Sequence, residues 1–211
     1  MNIKLLNVAL GIALTATTLS ASAQINYTQG AVTYSLNMQG QATEVKNYFT
    51  PDSSAATFTT GPASIKVLSD AKHDYFAVLV DVPVASMKKA GIATPAEVED
   101  LMSKIPTLTF APGTETKPIS GFNCKKVVAT DTKSGKTYDI WVTNDFTTSP
   151  TAFPFYYAKA GGFPIQFTSF QQGQEQEITI TSITDEKAPA GTFSIGSGYE
   201  KGSLADLNPN R

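Results

Sequence analysis

Apolar and polar positions alternate with a period of two along most of this chain, as strands with one face on a core require. The alternation is clearest between Ile119 and Thr143. Phe122, Cys124 and Val128 fall two or four apart on a first arm; Tyr138, Ile140 and Val142 do the same on a second. Ser134-Gly135 between them supplies a residue free to take positive φ, so the arms predict a β-hairpin. This ribbon is expected to be the spine of a single antiparallel sheet.

The same pattern places strands at Ile25–Met38, Ala42–Thr50, Ala55–Thr60, Ala63–Leu68, His73–Val82 and Thr107–Phe110. It places others at Phe163–Phe170, Glu175–Thr184 and Thr192–Ile195. Gly30 inside the first suggests a bulge or a bend in a long strand. In His73–Val82, Phe76, Val78, Val80 and Val82 share one face and Tyr75, Ala77 and Leu79 the other, which predicts cover on both sides. Asn144–Lys159 is rich in Phe and Tyr and broken by Pro150 and Pro154; it reads as an irregular or briefly helical crossing.

One segment has a helical period. Thr94-Pro95-Ala96-Glu97 forms a capping box with proline at the first helical position. Val98, Leu101, Met102 and Ile105 follow at helical spacing until Pro106. A shorter helical turn is expected within Pro83–Ala90, ended by Gly91. The predicted fold is therefore mainly β (α+β): a curved antiparallel sheet or half-barrel, with one or two helices packed as a lid on its concave face.

Residues 1–23 read as a processing segment. Lys4, the apolar run Leu5–Leu14 and the small residues Ala21-Ser22-Ala23 are the three parts of a cleavable export signal. The only cysteine is Cys124, so no lipid-attachment cysteine follows that run. The expected product is exported, periplasmic or extracellular, not membrane-spanning, with one β-rich domain over 24–204 and a loose tail over 205–211. Cations are nearly all lysine, Arg211 being the sole arginine, which argues against nucleic acid as a partner. A single cysteine excludes an internal disulfide, so stability must come from apolar burial.

The run Lys117-Pro118-Ile119-Ser120-Gly121-Phe122-Asn123-Cys124-Lys125-Lys126, followed by Tyr138-Asp139-Ile140-Trp141-Val142, resembles the signature of secreted bacterial proteins grouped as domain of unknown function 4412. It is also similar to the GLPGLI family. Phe193-Ser194-Ile195-Gly196-Ser197-Gly198-Tyr199 resembles the closing motif of the group, with Gly196 where a proline often stands. The resemblance runs from about Gly30 to Leu207. It implies a fold like that of the outer-membrane lipoprotein carriers (LolA, LppX), some of which hold lipid or acyl chains in their concavity. It implies no catalytic residues.

Candidate chemistry is sparse. His73 is the only histidine and stands beside Asp74, where a solvent-facing role is expected. Cys124 lies on an apolar row, where a thiol acts as a small hydrophobe. Glu97, Glu99 and Asp100 read as a solvated helix face. No nucleophile–base–orienter set, metal cluster or cofactor motif emerges, so no enzyme, metal or cofactor is expected. The aromatics carry more weight. Trp141 faces opposite to Ile140 and Val142, and with Phe163, Phe167, Phe155, Tyr157, Leu101 and Met102 it is a candidate lining for an apolar cavity. The favoured expectation is a carrier of a lipid or other apolar small molecule. The alternative is a non-enzymatic interaction or structural module that docks an envelope protein through strand edges or the aromatic loop Phe153–Tyr157.

Overall fold

A computed structural model describes residues 24–38, 41–171 and 173–207. The expected export signal (1–23) and the last four residues of the expected tail lie outside these, as do Gln39, Gly40 and Gln172 in two predicted turns.

The strands are β1 (Ile25–Tyr27), β2 (Gly30–Met38), β3 (Gln41–Phe49), β4 (Ser53–Thr60), β5 (Ala63–Asp70), β6 (Phe76–Val82) and β7 (Met87–Ile92). After helix α1 (Pro95–Ser103) come β8 (Leu108–Ile119), β9 (Phe122–Asp131), β10 (Thr137–Thr143), β11 (Phe146–Thr148), β12 (Phe163–Gln171), β13 (Gln174–Thr184) and β14 (Glu200–Ser203). Twelve strands form one sheet in the order β14-β7-β6-β5-β4-β3-β2-β13-β12-β10-β9-β8. Every pairing is antiparallel except β14 on β7. A separate parallel pair joins β1 to β11. Among the described residues β14 and β8 stay unpaired with each other, so the sheet is curved but not closed.

The curvature follows from chain lengths. Laid flat, β7 and β8 would stand about 48 Å apart at ~4.8 Å per strand gap. The link from Ile92 to Leu108, nine of its residues helical, reaches at most about 37 Å. The sheet must bend to bring these strands within reach. Which face is concave is shown by the aromatic crossing 149–160. Its Tyr157 ring lies 6.2 Å from Phe110 of β8, while Phe155 lies 4.3 Å from His73 in the β5–β6 turn. One short segment thus touches strands eight places apart in the sheet order.

That crossing plugs one end of the half-barrel. Ser149 Oγ donates to the Thr28 carbonyl at 2.5 Å, Thr151 donates to the Thr50 carbonyl, and two 3-10 turns follow at Pro150–Ala152 and Phe155–Tyr157. Tyr157 is fully buried and donates to the Thr168 carbonyl at 2.6 Å. The hairpin turns β2–β3, β4–β5, β6–β7, β9–β10 and β12–β13 all lie at the opposite end. α1 and its flanks run from the plugged end, where Ile92 pairs with Ala77, to the hairpin end, where Leu108 pairs with Asp131.

The capping box holds: Thr94 Oγ1 accepts from the Glu97 backbone N–H and Glu97 Oε2 accepts from that of Thr94. No residue of α1 is buried, however. The expected second helix is a single 3-10 turn, Pro83–Ala85, after which Met87–Ile92 is strand. The dense cover of the concave face is the aromatic crossing, because its rings bury far more area than the amphipathic α1.

On the outer face, Ala55, Leu68, Ala77, Leu79 and Ala90 form a second core under Phe193, Ile195 and Tyr199. The alanines let residues 185–199 lie close as a strap. Glu186 fixes its start by accepting from Lys46 Nζ at 2.7 Å and from the Tyr48 hydroxyl at 2.9 Å. No strand forms at Thr192–Ile195; the last one is β14, and Leu204–Leu207 forms a 3-10 turn against β7.

Two strand expectations are corrected. His73-Asp74-Tyr75 is turn, with His73 at φ +60°, so β6 starts at Phe76. In β9 the buried residues are Cys124, Val127 and Ala129, and Val128, expected in one row with Phe122 and Cys124, is only half-buried. The β9–β10 register runs unbroken from Cys124 to Thr130, and it sets Val127 opposite Ile140 and Ala129 opposite Tyr138, with Val128 opposite Asp139.

Candidate apolar concavity

Register assigns the inner-face residues. One row joins Ile180, Tyr34 and Val45 across β13, β2 and β3, and another joins Phe58, Ile65 and Val80 across β4, β5 and β6. The adjacent row runs Ile183, Val32, Asn47, Ala56, Val67, Val78 and Gly91. Val32 and Val45 are 1 % exposed and belong to the main core, with the plug packed beside them. Ile65, Val67, Phe76, Val78 and Val80 are only half-buried and, among the described residues, join neither core. Together they make an apolar trough on the concave side that the plug does not reach.

Two polar side chains sit at the border between core and trough. Tyr34 and Asn47 are on neighbouring strands, one step apart on the same face, within the ~7–8 Å of a diagonal cross-strand pair. Neither side chain has a hydrogen-bond partner among the described residues. Burial pushes the Tyr34 phenol up to about 12, with a smaller push from Tyr156. Tyr34 nonetheless keeps some accessible surface. Tyr156 is also raised by burial, but its oxygen accepts from the Phe170 backbone N–H at 3.2 Å.

The residues singled out from sequence are scattered. Phe163, Phe167 and Tyr157 are together in the packed plug, with the Tyr157 and Phe167 rings 5.3 Å apart. Phe155 caps His73 at its edge. Trp141 is 8 % exposed, on the far side of β10 from Ile140, with Lys117 Nζ 4.0 Å above its ring. Leu101 and Met102 are half-buried on α1. The loop Phe153–Tyr157 turns its rings inward. Sequence reasoning passed over Tyr34, Asn47, Phe58, Ile65 and Val67, although Asn47 was visible as the one polar break between Val45 and Phe49.

Elsewhere the chemistry is quiet. Burial raises the Cys124 thiol, and its Sγ donates to the Phe122 carbonyl at 3.5 Å. Among the described residues no three His, Cys, Asp or Glu gather as metal ligands, and no helix is long and apolar enough to cross a membrane. Two clefts open to solvent lie along the strap. One, of about 690 Å³, lies at Asp81, Ser86, Lys88 and Glu200; the other, of about 630 Å³, runs past Lys46, Thr57, Lys66 and Tyr199 and reaches Phe58 and Ile65. Both exceed the ~300 Å³ at which ligand pockets begin, and both mix charged and polar groups with apolar ones such as Met87 and Phe58.

No family model matches the chain, and no curated protein matches it. Two solved structures of PNGF-II, in the C2 and P21 space groups, are similar to it at 15 % and 14 % identity, with TM-scores of 0.47 and 0.48. The match covers 84 % and 85 % of this chain, which spans only 31 % and 32 % of those chains.

Proposed function

We propose that this protein is an exported carrier that holds an apolar ligand, an acyl chain, in the trough between the inner face of β4–β6 and α1. The observation that carries the reading is the strip Ile65, Val67, Val78 and Val80: branched side chains on the concave face, half-buried and outside both cores. Apolar strand surface of this kind gains by burial, at roughly 25 cal/mol per Å². The reading agrees with what the resemblance of the Ile119–Val142 hairpin to domain of unknown function 4412, and through it to the lipoprotein carriers, implies. Export rests on the signal expected over residues 1–23.

The test is uptake of the apolar dye N-phenyl-1-naphthylamine, together with native mass spectrometry for co-purified lipid. Saturable uptake is expected, weakened roughly tenfold by Ile65→Gln with Val80→Gln. A protein that takes up no dye and carries no lipid sinks the proposal.

A further inference from the structure

The last described turn of the chain lies on the same face as the apolar strip. Gly91 of β7 stands opposite Gly202 of β14, and it continues the inner-face row that runs through Val67 and Val78. Neither glycine has a positive φ. What they supply is room for a close approach: a Cβ on Gly91 would stand 2.7 Å from Leu207 Cδ1, and one on Gly202 would stand 2.6 Å from Asp206 Oδ2. The pair is a flat seat for the 3-10 turn Leu204–Leu207, which lies against both β7 and β6.

We propose that this turn is an internal stopper: Leu204 and Leu207 occupy the β6–β7 end of the apolar strip, and an apolar ligand must lift them to take that end. The inference rests on the carrier reading and adds to it a regulation of the same site, in which the end of the chain competes with the cargo.

The turn is built both to sit there and to leave. Residues three apart in a 3-10 turn eclipse each other, so Leu204 and Leu207 share one side. Both are half-buried, while Ala205 and Asp206 between them are exposed. The bonds that hold its shape are local: Asp206 Oδ2 accepts from the Ser203 backbone N–H at 2.7 Å and from Ser203 Oγ at 2.8 Å. Among the described residues no hydrogen bond ties 204–207 to β6 or β7, and Lys89 of β7 acts on the Asp206 carboxylate only through space. The hold on the strip is therefore the apolar contact of two leucines. A segment held by so few buried contacts sits at the low-stability end of a fold, and an apolar ligand replaces that contact in kind.

Uptake of N-phenyl-1-naphthylamine by three proteins tests this: the native chain, Leu204→Ser with Leu207→Ser, and Gly91→Ala. The double variant removes the stopper's grip; Gly91→Ala fills its seat and leaves both leucines in the chain. Each should tighten uptake about 3- to 10-fold, because the strip is then free in a larger fraction of the molecules. Hydrogen exchange gives the reciprocal reading: the dye should speed exchange of the backbone amides of residues 204–207 in the native chain. Melting temperature shows that each variant folds, and the double serine variant suffices if Gly91→Ala does not. Unchanged uptake, or exchange that the dye leaves alone, makes the turn a fixed part of the fold, and the carrier reading survives. Weaker uptake by the serine variant puts the leucines in the wall of the ligand site and overturns the stopper. No uptake by any of the three removes both readings.

Discussion

His73 stacks on Phe155 with ring centroids 4.3 Å apart and planes tilted by 35°, tying the β5–β6 turn to the aromatic plug. The turn is built for this. Asp70 Oδ1 accepts from the backbone N–H groups of Asp74 and Tyr75, and His73 takes a left-handed φ of +60°. Burial lowers the imidazole pKa, with Asp70 pulling it part of the way back.

A pH dependence follows. A histidine whose pKa is lower in the folded state contributes stability that is complete above its unfolded value, near 6.5, and lost as pH falls through the folded one. The melting temperature should therefore drop between pH 7.5 and 5. Asp70 is the charged group that acts on the imidazole, favouring its protonated form. His73→Asn, which tolerates the same backbone conformation, should flatten the slope; an unchanged slope would refute the assignment.

Tyr157 is the keystone of the plug. Tyr157→Phe deletes the hydrogen bond to the Thr168 carbonyl and should cost about 1–2 kcal/mol. Tyr157→Ala also opens a cavity among Phe110, Tyr156 and Phe167 and should cost about 3–5 kcal/mol. Urea unfolding measures both. Equal losses would mean the ring contributes nothing beyond its hydroxyl.

Trp141 reports on its own cover. As the only tryptophan it should emit at short wavelength, shielded by the stem and ammonium of Lys117, which also reaches Gln166 Oε1 at 3.3 Å. Lys117→Ala should shift the emission to the red with little change in far-UV dichroism. An unshifted spectrum would show that the lysine does not shield the ring.

Cys124 should be inert in the native state. It is 1 % exposed and its thiol pKa is raised by burial, so a thiol-reactive chromophore should label it only after unfolding. Rapid labelling of folded protein would contradict its placement in the core.

What could be read from the chain was local. The Phe122–Val142 ribbon, the Thr94 capping box and the opposed faces of Val78 and Leu79 depend on residues within a few positions of one another, and the period shows them; the cover expected on both faces of that strand is found only over Leu79, Val78 lying outside both cores. That Val127 and Ala129, not Val128, are the buried pair depends on their partners Ile140 and Tyr138 in β10, which the alternation of β9 does not encode. The strap is held through Ala55, Ala77 and Ala90, whose smallness matters only once Phe193 and Tyr199 are known to lie over them. Apolar character in Phe155 and Tyr157 was plain, but whether such rings line a hollow or fill one depends on what faces them. The trough was half legible: Val78 and Val80 were assigned to one face, but Tyr34 and Asn47 stand out only when their neighbours are known.

Because β2 pairs with β13, Ala31 meets Thr184 and Val32 meets Ile183, the centre of the sheet is a seam between the two far ends of the chain. The meander β2–β7 can assemble from local hairpins as it emerges from the ribosome. Its inner edge stays open until β13 has been made, whose last residue, Thr184, comes 92 residues after Ile92 at the end of β7. Closure over so long a loop is slow, and a chain that stops before Thr184 is left with an unzipped, adhesive margin where its middle should be.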